Sequence, residues 1–410
     1  MIKDIRIKNF KSWEDLDLKL SPITGLFGPN SSGKSSLLQF LLMLKQTKET
    51  IDRSLALDFG SLKTYTNLGT FRDVIYSHDL ENRLQWNITW ELVKELEIID
   101  PLADRKSVLF KGKELSFFSG VSLKNQQPTA EFIEYTFSNQ KFSLQSRKSK
   151  PSSFSLKTEG NNEQFNFIRN KGRVWDIPGP IKSYAFPDQA KTYFQNAGLL
   201  GELEFSYEAL MDRIFYLGPL REYPKREYIW SGSSPWDVGP RGERVVDALL
   251  AAKARNELRS LGYRKKRKPF EEIIAHWLKE LGLISDFKVL EIAKDSNLYK
   301  VQIKKDATSA PVLITDVGFG LSQFLPVLVL LYYVPEHSIV LLEQPEIHLH
   351  PAVQSGLGDV IINAVQTRNI QVIVESHSEH LLRRLQRRVA EEEIRHTDIS
   401  LYFSQTKAGK

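Results

Sequence analysis

Gly28-Pro29-Asn30-Ser31-Ser32-Gly33-Lys34-Ser35 constrains this chain more than any other stretch. The preceding "ITGLF", Ile23 to Phe27, reads as a buried strand. The following "LLQFLLML", Leu37 to Leu44, reads as a helix apolar almost all round, so it is expected inside a sheet-and-helix core. In that strand–loop–helix setting, G-x-x-x-x-G-K-[ST] is a phosphate-binding loop. Glycines let successive backbone N–H groups curl round phosphate oxygens, and the helix N-terminus adds partial positive charge. Gly28, Pro29, Asn30, Ser31, Ser32, Gly33, Lys34, Ser35 and Ser36 are therefore the candidate nucleotide-binding residues. Lys34 suits the terminal phosphates, and the Ser35 hydroxyl suits a magnesium ion.

A phosphate loop needs an acid at the end of a neighbouring apolar strand. "SIVLLEQPEIHLHP", Ser338 to Pro351, offers Ile339 to Leu342 as the strand and then Glu343. Magnesium takes oxygen ligands and keeps several waters, so one carboxylate beside Ser35 suffices. Gln344 stands where a second carboxylate is expected. A neutral amide accepts no proton but orients water. Glu346, beyond Pro345, is the nearby substitute base. In "VIVESHSEHLL", His377 follows another apolar strand and a polar turn, from which imidazole can contact a γ-phosphate or the attacking water. His348 and His350, two apart with no third ligand near, make a poor metal site.

The chain divides by pattern into three stretches. Residues 1–80 alternate as strands and then carry the phosphate loop and its helix. Residues 81–204 read as an antiparallel β-rich insertion, in which Leu84, Trp86, Ile88, Trp90 and Leu92 share one face. Residues 205–410 return to helical periodicity. Phe270, Ile273, Ile274, Trp277, Leu278 and Leu281 form a stripe behind Pro269, and strands then alternate with helices from Ala352 and Glu379. That closing alternation argues for a largely parallel α/β sheet. No heptad pattern supports a coiled-coil arm.

Composition narrows the classes further. The 410 residues contain no cysteine, which removes disulfides and thiolate metal sites. No apolar run is long enough for a membrane span, and "MIKDIRIKNF" lacks a signal-peptide core, so a cytoplasmic protein without a membrane partner is expected. A net charge of +6 permits a DNA partner without demanding one. Two clusters are locally stronger: Arg264 to Lys268, and Arg383, Arg384, Arg387 and Arg388.

The order of Gly28–Ser35, "DVGFGLSQ", "LLEQPEIHLHP" and "VESHSEHLL" resembles the ATPase head of the ATP-binding-cassette type. More narrowly, it resembles prokaryotic AAA-type proteins related to the overcoming-lysogenization-defect and SMC ATPases. The resemblance covers roughly the first 80 residues and everything from about 205 onward. It implies an α/β fold, an ABC-type P-loop ATPase head with a largely parallel sheet and an antiparallel β-rich inserted subdomain. It implies ATP and Mg2+ as cofactors, with Ser35 and Glu343 on the metal, Gln344 at the catalytic-glutamate position and His377 as the switch histidine. Gly318, Gly320, Ser322 and Gln323 fall on the signature motif, which contacts nucleotide held by a second copy in a head-to-tail dimer. Whether Ser322 or the Gly318–Gly320 backbone takes the signature-serine role stays open, and the helix is expected to start at Leu321.

By the same resemblance the chain is expected to be a slow ATPase. It would control a separate effector, such as a nuclease or toxin, as in the Septu and PARIS types of anti-phage system. A glutamine at position 344 fits a natural slow switch, the preferred reading, or a Glu→Gln change that traps the ATP-bound dimer. The alternatives are a DNA-associated SMC- or repair-like ATPase, and a piece of an ATPase-coupled nuclease whose catalytic domain lies outside this chain. A transporter ATPase unit is a poor fit, because the interval from Lys34 to Gly318 is far too long.

Overall fold

The computed structural model describes residues 1–103, 107–147, 150–160, 165–172, 175–262 and 264–405. Contacts divide it into two units. One comprises Met1–Leu20 with Ser35–Arg213, the other Ser21–Lys34 with Ile214–Lys410.

The first unit is built on a seven-stranded antiparallel sheet, the largest in the molecule. Its order is Trp13–Lys19, Ile2–Phe10, Leu84–Ile99, Val108–Lys124, Gln127–Phe137, Gln140–Arg147 and Lys150–Gly160. The two-residue alternation decides which face is buried. Ile7 lies opposite Trp86, Ile88 opposite Phe117, and Phe117 opposite Tyr135, so one apolar face runs across the strands.

Two sequence expectations change here. The N-terminal strands, assigned to the ATPase head, are the first members of this antiparallel sheet. The β-rich part is therefore not confined to residues 81–204, and the sheet that dominates the molecule is antiparallel rather than parallel. The helix Lys34–Glu49 also turns its aromatic side toward this sheet: Phe40 meets Phe10 and Trp86 edge-on, at 5.2 and 5.8 Å between ring centroids. Pairing of Ile2–Phe10 with Leu84–Ile99 is set by cross-strand packing between residues far apart in the chain, which local pattern does not reveal.

The second unit holds a five-stranded sheet in the order Ile399–Phe403, Ile23–Phe27, Gln371–Glu375, Ile339–Glu343, Ile214–Leu217, with every neighbouring pair parallel. Four of the strands are buried runs, as parallel strands covered on both faces must be, whereas the edge strand Ile399–Phe403 is only half-buried. Their core includes the helices Val245–Ala254, Phe270–Glu280, Phe319–Tyr333 and Pro351–Arg368. Helix Phe319–Tyr333 is buried from Leu321 through Tyr333, including its interior proline Pro326. It begins at Phe319 behind the cap Gly318, two residues earlier than expected. Pro269 is the N-cap of Phe270–Glu280. Among the described residues, no helix is long and apolar enough to cross a membrane.

Candidate functional site

Parallel pairing puts the carboxyl ends of all five strands on one edge, where α/β sheets bind ligands. Register places Leu26 beside Glu375, Glu375 beside Glu343, and Leu342 beside Leu217. The phosphate loop, the Ser376–His377 turn, the Gln344–Glu346 turn and the Gly218–Arg221 segment therefore leave the sheet side by side.

The loop is shaped by its glycines and by the last strand. Gly28 and Gly33 have φ of 135° and 89°, and Ser31 has φ of 60°. A Cβ on Gly28 would lie 2.4 Å from the carbonyl oxygen of Ser404, so this position requires glycine twice over. Ser404 also donates its backbone N–H to Phe27 O at 2.8 Å and its hydroxyl to Ser32 O. Within the loop, the Ser32 hydroxyl and the Lys34 ammonium both donate to Pro29 O, at 2.8 and 2.6 Å. Burial draws the Lys34 ammonium below its ordinary pKa, opposed by the charges of Glu375 and Glu346. Ser35 and Ser36 continue into the helix, at its first turn.

Glu343 and Glu375 end two neighbouring strands, and Glu346 follows in the turn after the first. Glu343 accepts a hydrogen bond from the Tyr216 hydroxyl at 2.6 Å. Burial, then Glu343, pushes the Tyr216 phenol far above its ordinary value, so it stays a donor. Glu346 is 6% exposed; its Oε1 accepts from the His377 backbone N–H at 2.7 Å, while its Oε2 is buried with no hydrogen-bond partner. Glu375 is 1% exposed, and its Oε2 is likewise buried without a partner. Such orphaned acceptors cost about 1–3 kcal/mol each and call for an explanation. Carboxylate oxygens are the donors a hard divalent cation and its waters require, so the chemistry of this edge suits magnesium, with no cluster of three or more acidic or histidine side chains gathered as a metal cage among the described residues.

Gln344 sits between these acids with φ of 45°, its backbone N–H donating across to Glu375 O at 2.9 Å. Its carbonyl is approached by Arg221 Nη2 at 3.5 Å. The His377 side chain is exposed; only its backbone touches Glu346. Gly318 is exposed at the helix start, whereas Ser322 and Gln323 are buried. A Cβ on Gly320 would come within 2.9 Å of His348 O, so the signature segment packs against the loop after Glu346. His350 caps Pro351–Arg368, its Nδ1 accepting from Ala352 N at 3.4 Å.

Residue order missed Glu375, Tyr216 and Arg221. Glu375 had a readable signal, being a strand-end acid like Glu343. Tyr216 and Arg221 are more than a hundred residues from Glu343 and Gln344, the partners they reach, and carried none.

The two basic clusters differ. Arg383 pairs with Glu379, Arg387 with Glu391, and Arg384 and Arg388 with Asp359, so that cluster is largely neutralised by its own helix with its C-cap and by the preceding helix. Arg264 to Lys268 are all exposed.

Residues 1–195 match a family model described as "AAA ATPase domain", and residues 185–383 match one described as "AAA domain, putative AbiEii toxin, Type IV TA system". The similarity is to AAA-type ATPase domains. An OLD nuclease of Thermus scotoductus is 46% identical over 39 residues, 10% of this chain and 7% of that protein. A DNA replication and repair protein RecF of Lachnoclostridium phytofermentans is 28% identical over 123 residues, 29% of this chain and 32% of that one. The matched stretches thus span less than a third of either curated relative. Among solved structures, an SMC head bound to the C-winged helix domain of ScpA aligns over 93% of this chain and 92% of its own, at 13% identity and a TM-score of 0.46. The two family models, which together span residues 1–383, are what support an ATPase domain here.

Proposed function

We propose that this chain binds ATP with magnesium on residues 28–36, hydrolyses it slowly, and uses the bound state to form a head-to-tail dimer that regulates a separate effector. The observation that carries the reading is the convergence of the phosphate loop with Glu343, Glu346 and Glu375 at one sheet edge, where Lys34 feels two of those charges. Ser35 and Glu343 are the residues that would hold magnesium, which supplies charge neutralisation at the phosphates when bound.

The chain's own groups account for the remaining chemistry. The loop N–H groups and Lys34 bind the phosphates. Gln344, a neutral amide, orients water without taking its proton. Glu346, buried with a free oxygen, is the group able to accept that proton as water adds to the γ-phosphorus and the bridging oxygen leaves with ADP. Dividing the two tasks between an amide and an offset acid is the reason for slow turnover. The exposed helix start at Gly318 leaves backbone N–H groups for a phosphate held by a second copy.

Co-purification of the native neighbouring gene products in ATP and magnesium tests the regulatory part. A nuclease or toxin recovered with an ATP-dependent dimer supports it. A partner-free chain that stays monomeric with ATP counts against it. A second reading, a DNA-associated ATPase of cytoplasmic location, is favoured by the exposed cations at 264–268 and is tested by whether DNA association responds to ATP.

A further inference from the structure

Arg221 is the least explained charge in the second unit. It lies on the segment that follows the edge strand Ile214–Leu217, and that segment is clipped by two backbone bonds, Gly218 N–H to Pro240 O and Glu222 N–H to Arg241 O, each 2.8 Å. The clip carries the side chain inward. Arg221 is 5% exposed, and Nε and Nη1 are buried without hydrogen-bond partners. Only Nη2 reaches a neighbour, the Gln344 carbonyl at 3.5 Å. Burial pulls its pKa down to about 10, with Glu346 and the Tyr216 phenol opposing the fall.

A buried guanidinium with most of its fork unused is costly, and a protein that keeps one ordinarily employs it. Its surroundings name the employment. It feels the Tyr216 phenol, which donates to the metal-acid candidate Glu343, and it feels Glu346, whose second oxygen is also unused. The carbonyl it reaches belongs to Gln344, at a left-handed turn that a non-glycine residue adopts only when its surroundings hold it.

We propose that Arg221 is the positioning residue of the hydrolytic site: its guanidinium holds the Gln344–Glu346 turn and draws the Glu346 carboxylate into the orientation in which its free oxygen handles water. Arg221 touches neither nucleotide nor metal in this assignment. It acts through Glu346, and its planar fork matters as well as its charge, because one face must serve a carbonyl and a carboxylate together. The inference rests on the ATPase reading above.

The test is a double-variant cycle on the full chain, reading ATP affinity with a fluorescent ATP analogue and single-turnover hydrolysis of bound ATP. Arg221→Ala is expected to slow hydrolysis about 100-fold, the scale of a misplaced catalytic group, with ATP affinity changed less than about threefold. Arg221→Lys, which keeps the buried charge and is the variant to read should the alanine form not fold, is expected to lose about tenfold. Combined with Glu346→Gln, Arg221→Ala should add almost nothing, because both remove the same function. Wild-type hydrolysis in both Arg221 variants, or losses that multiply with that of Glu346→Gln, overturns the assignment while leaving the ATPase reading intact. A wild-type chain that binds or hydrolyses no ATP overturns both.

Discussion

The backbone N–H of His377 donates to Oε1 of Glu346 at 2.7 Å, so the acid that follows one strand of the parallel sheet is held by the turn that follows its neighbour. That contact ties the two strand-end motifs into one unit and leaves the other carboxylate oxygen of Glu346 unused.

Glu346→Gln should therefore reduce ATP turnover about 100-fold or more, the ordinary worth of a positioned base. Gln344→Glu should raise it about tenfold, since a carboxylate then stands where only an amide orients water. Phosphate release under saturating ATP measures both. Unchanged turnover in Gln344→Glu, together with loss in Glu346→Gln, would assign all water handling to Glu346.

Gly28→Ala should be destructive out of proportion to one methyl group. The residue has φ of 135°, and its new Cβ would stand 2.4 Å from Ser404 O. A left-handed conformation costs about 1–2 kcal/mol before any clash. Thermal unfolding should show a lower midpoint, and ATP affinity should fall at least about tenfold as the loop N–H groups move apart. Native affinity in this variant would mean that the loop tolerates a different shape.

The phosphate loop, the acid at Glu343 and the turn at His377 were all readable because each is a local pattern: an apolar strand, then a polar residue or a glycine at its end. The helix at Glu379 was equally plain, with Ser378 capping it by accepting from Leu381 N. What could not be read was partnership. Ile2–Phe10 chooses Leu84–Ile99 through Ile7 and Trp86, and Arg221 reaches Gln344 across more than a hundred residues; neither pairing leaves a mark in a short window. The helix start at Phe319 was misplaced for another reason, since the glycines at 318 and 320 look like loop although only Gly318 is the cap.

Acid dependence of stability should carry a contribution from Glu204 in the first unit. It accepts from Phe186 N–H at 2.6 Å and Lys191 at 2.5 Å, yet burial dominates and raises its pKa above the ordinary carboxylate value. The folded chain thus holds this proton more tightly than the unfolded one. The contribution is full below the unfolded pKa and lost as pH rises through the folded value. Urea midpoints measured upward from the ordinary carboxylate range should decline, and Glu204→Gln should flatten that decline. A slope identical in the variant would remove Glu204 as its source.

Charge reversal at the exposed cluster separates the two readings of function. Changing Lys265, Lys266, Arg267 and Lys268 to glutamate should abolish any low-salt DNA shift and leave ATP turnover within about twofold, because all four are exposed on the segment that leads into helix Phe270–Glu280. The wild-type affinity should fall steeply with salt, by a log–log slope of about 0.9 per phosphate neutralised. DNA binding that ignores ATP would weaken a coupled role.

The most direct measurement is ATP binding and hydrolysis by the full chain with magnesium, compared with Lys34→Ala. The ammonium of Lys34 lies within the loop and feels the charges of Glu375 and Glu346. Removing one charge-assisted phosphate contact should cost about 1.5–3 kcal/mol, or roughly 10- to 100-fold in affinity, with turnover lost as well. Saturable binding and slow phosphate release in the wild type, both lost in Lys34→Ala, is the predicted result. Equal binding and turnover in the two chains, or no ATP binding by the wild type, would contradict the account.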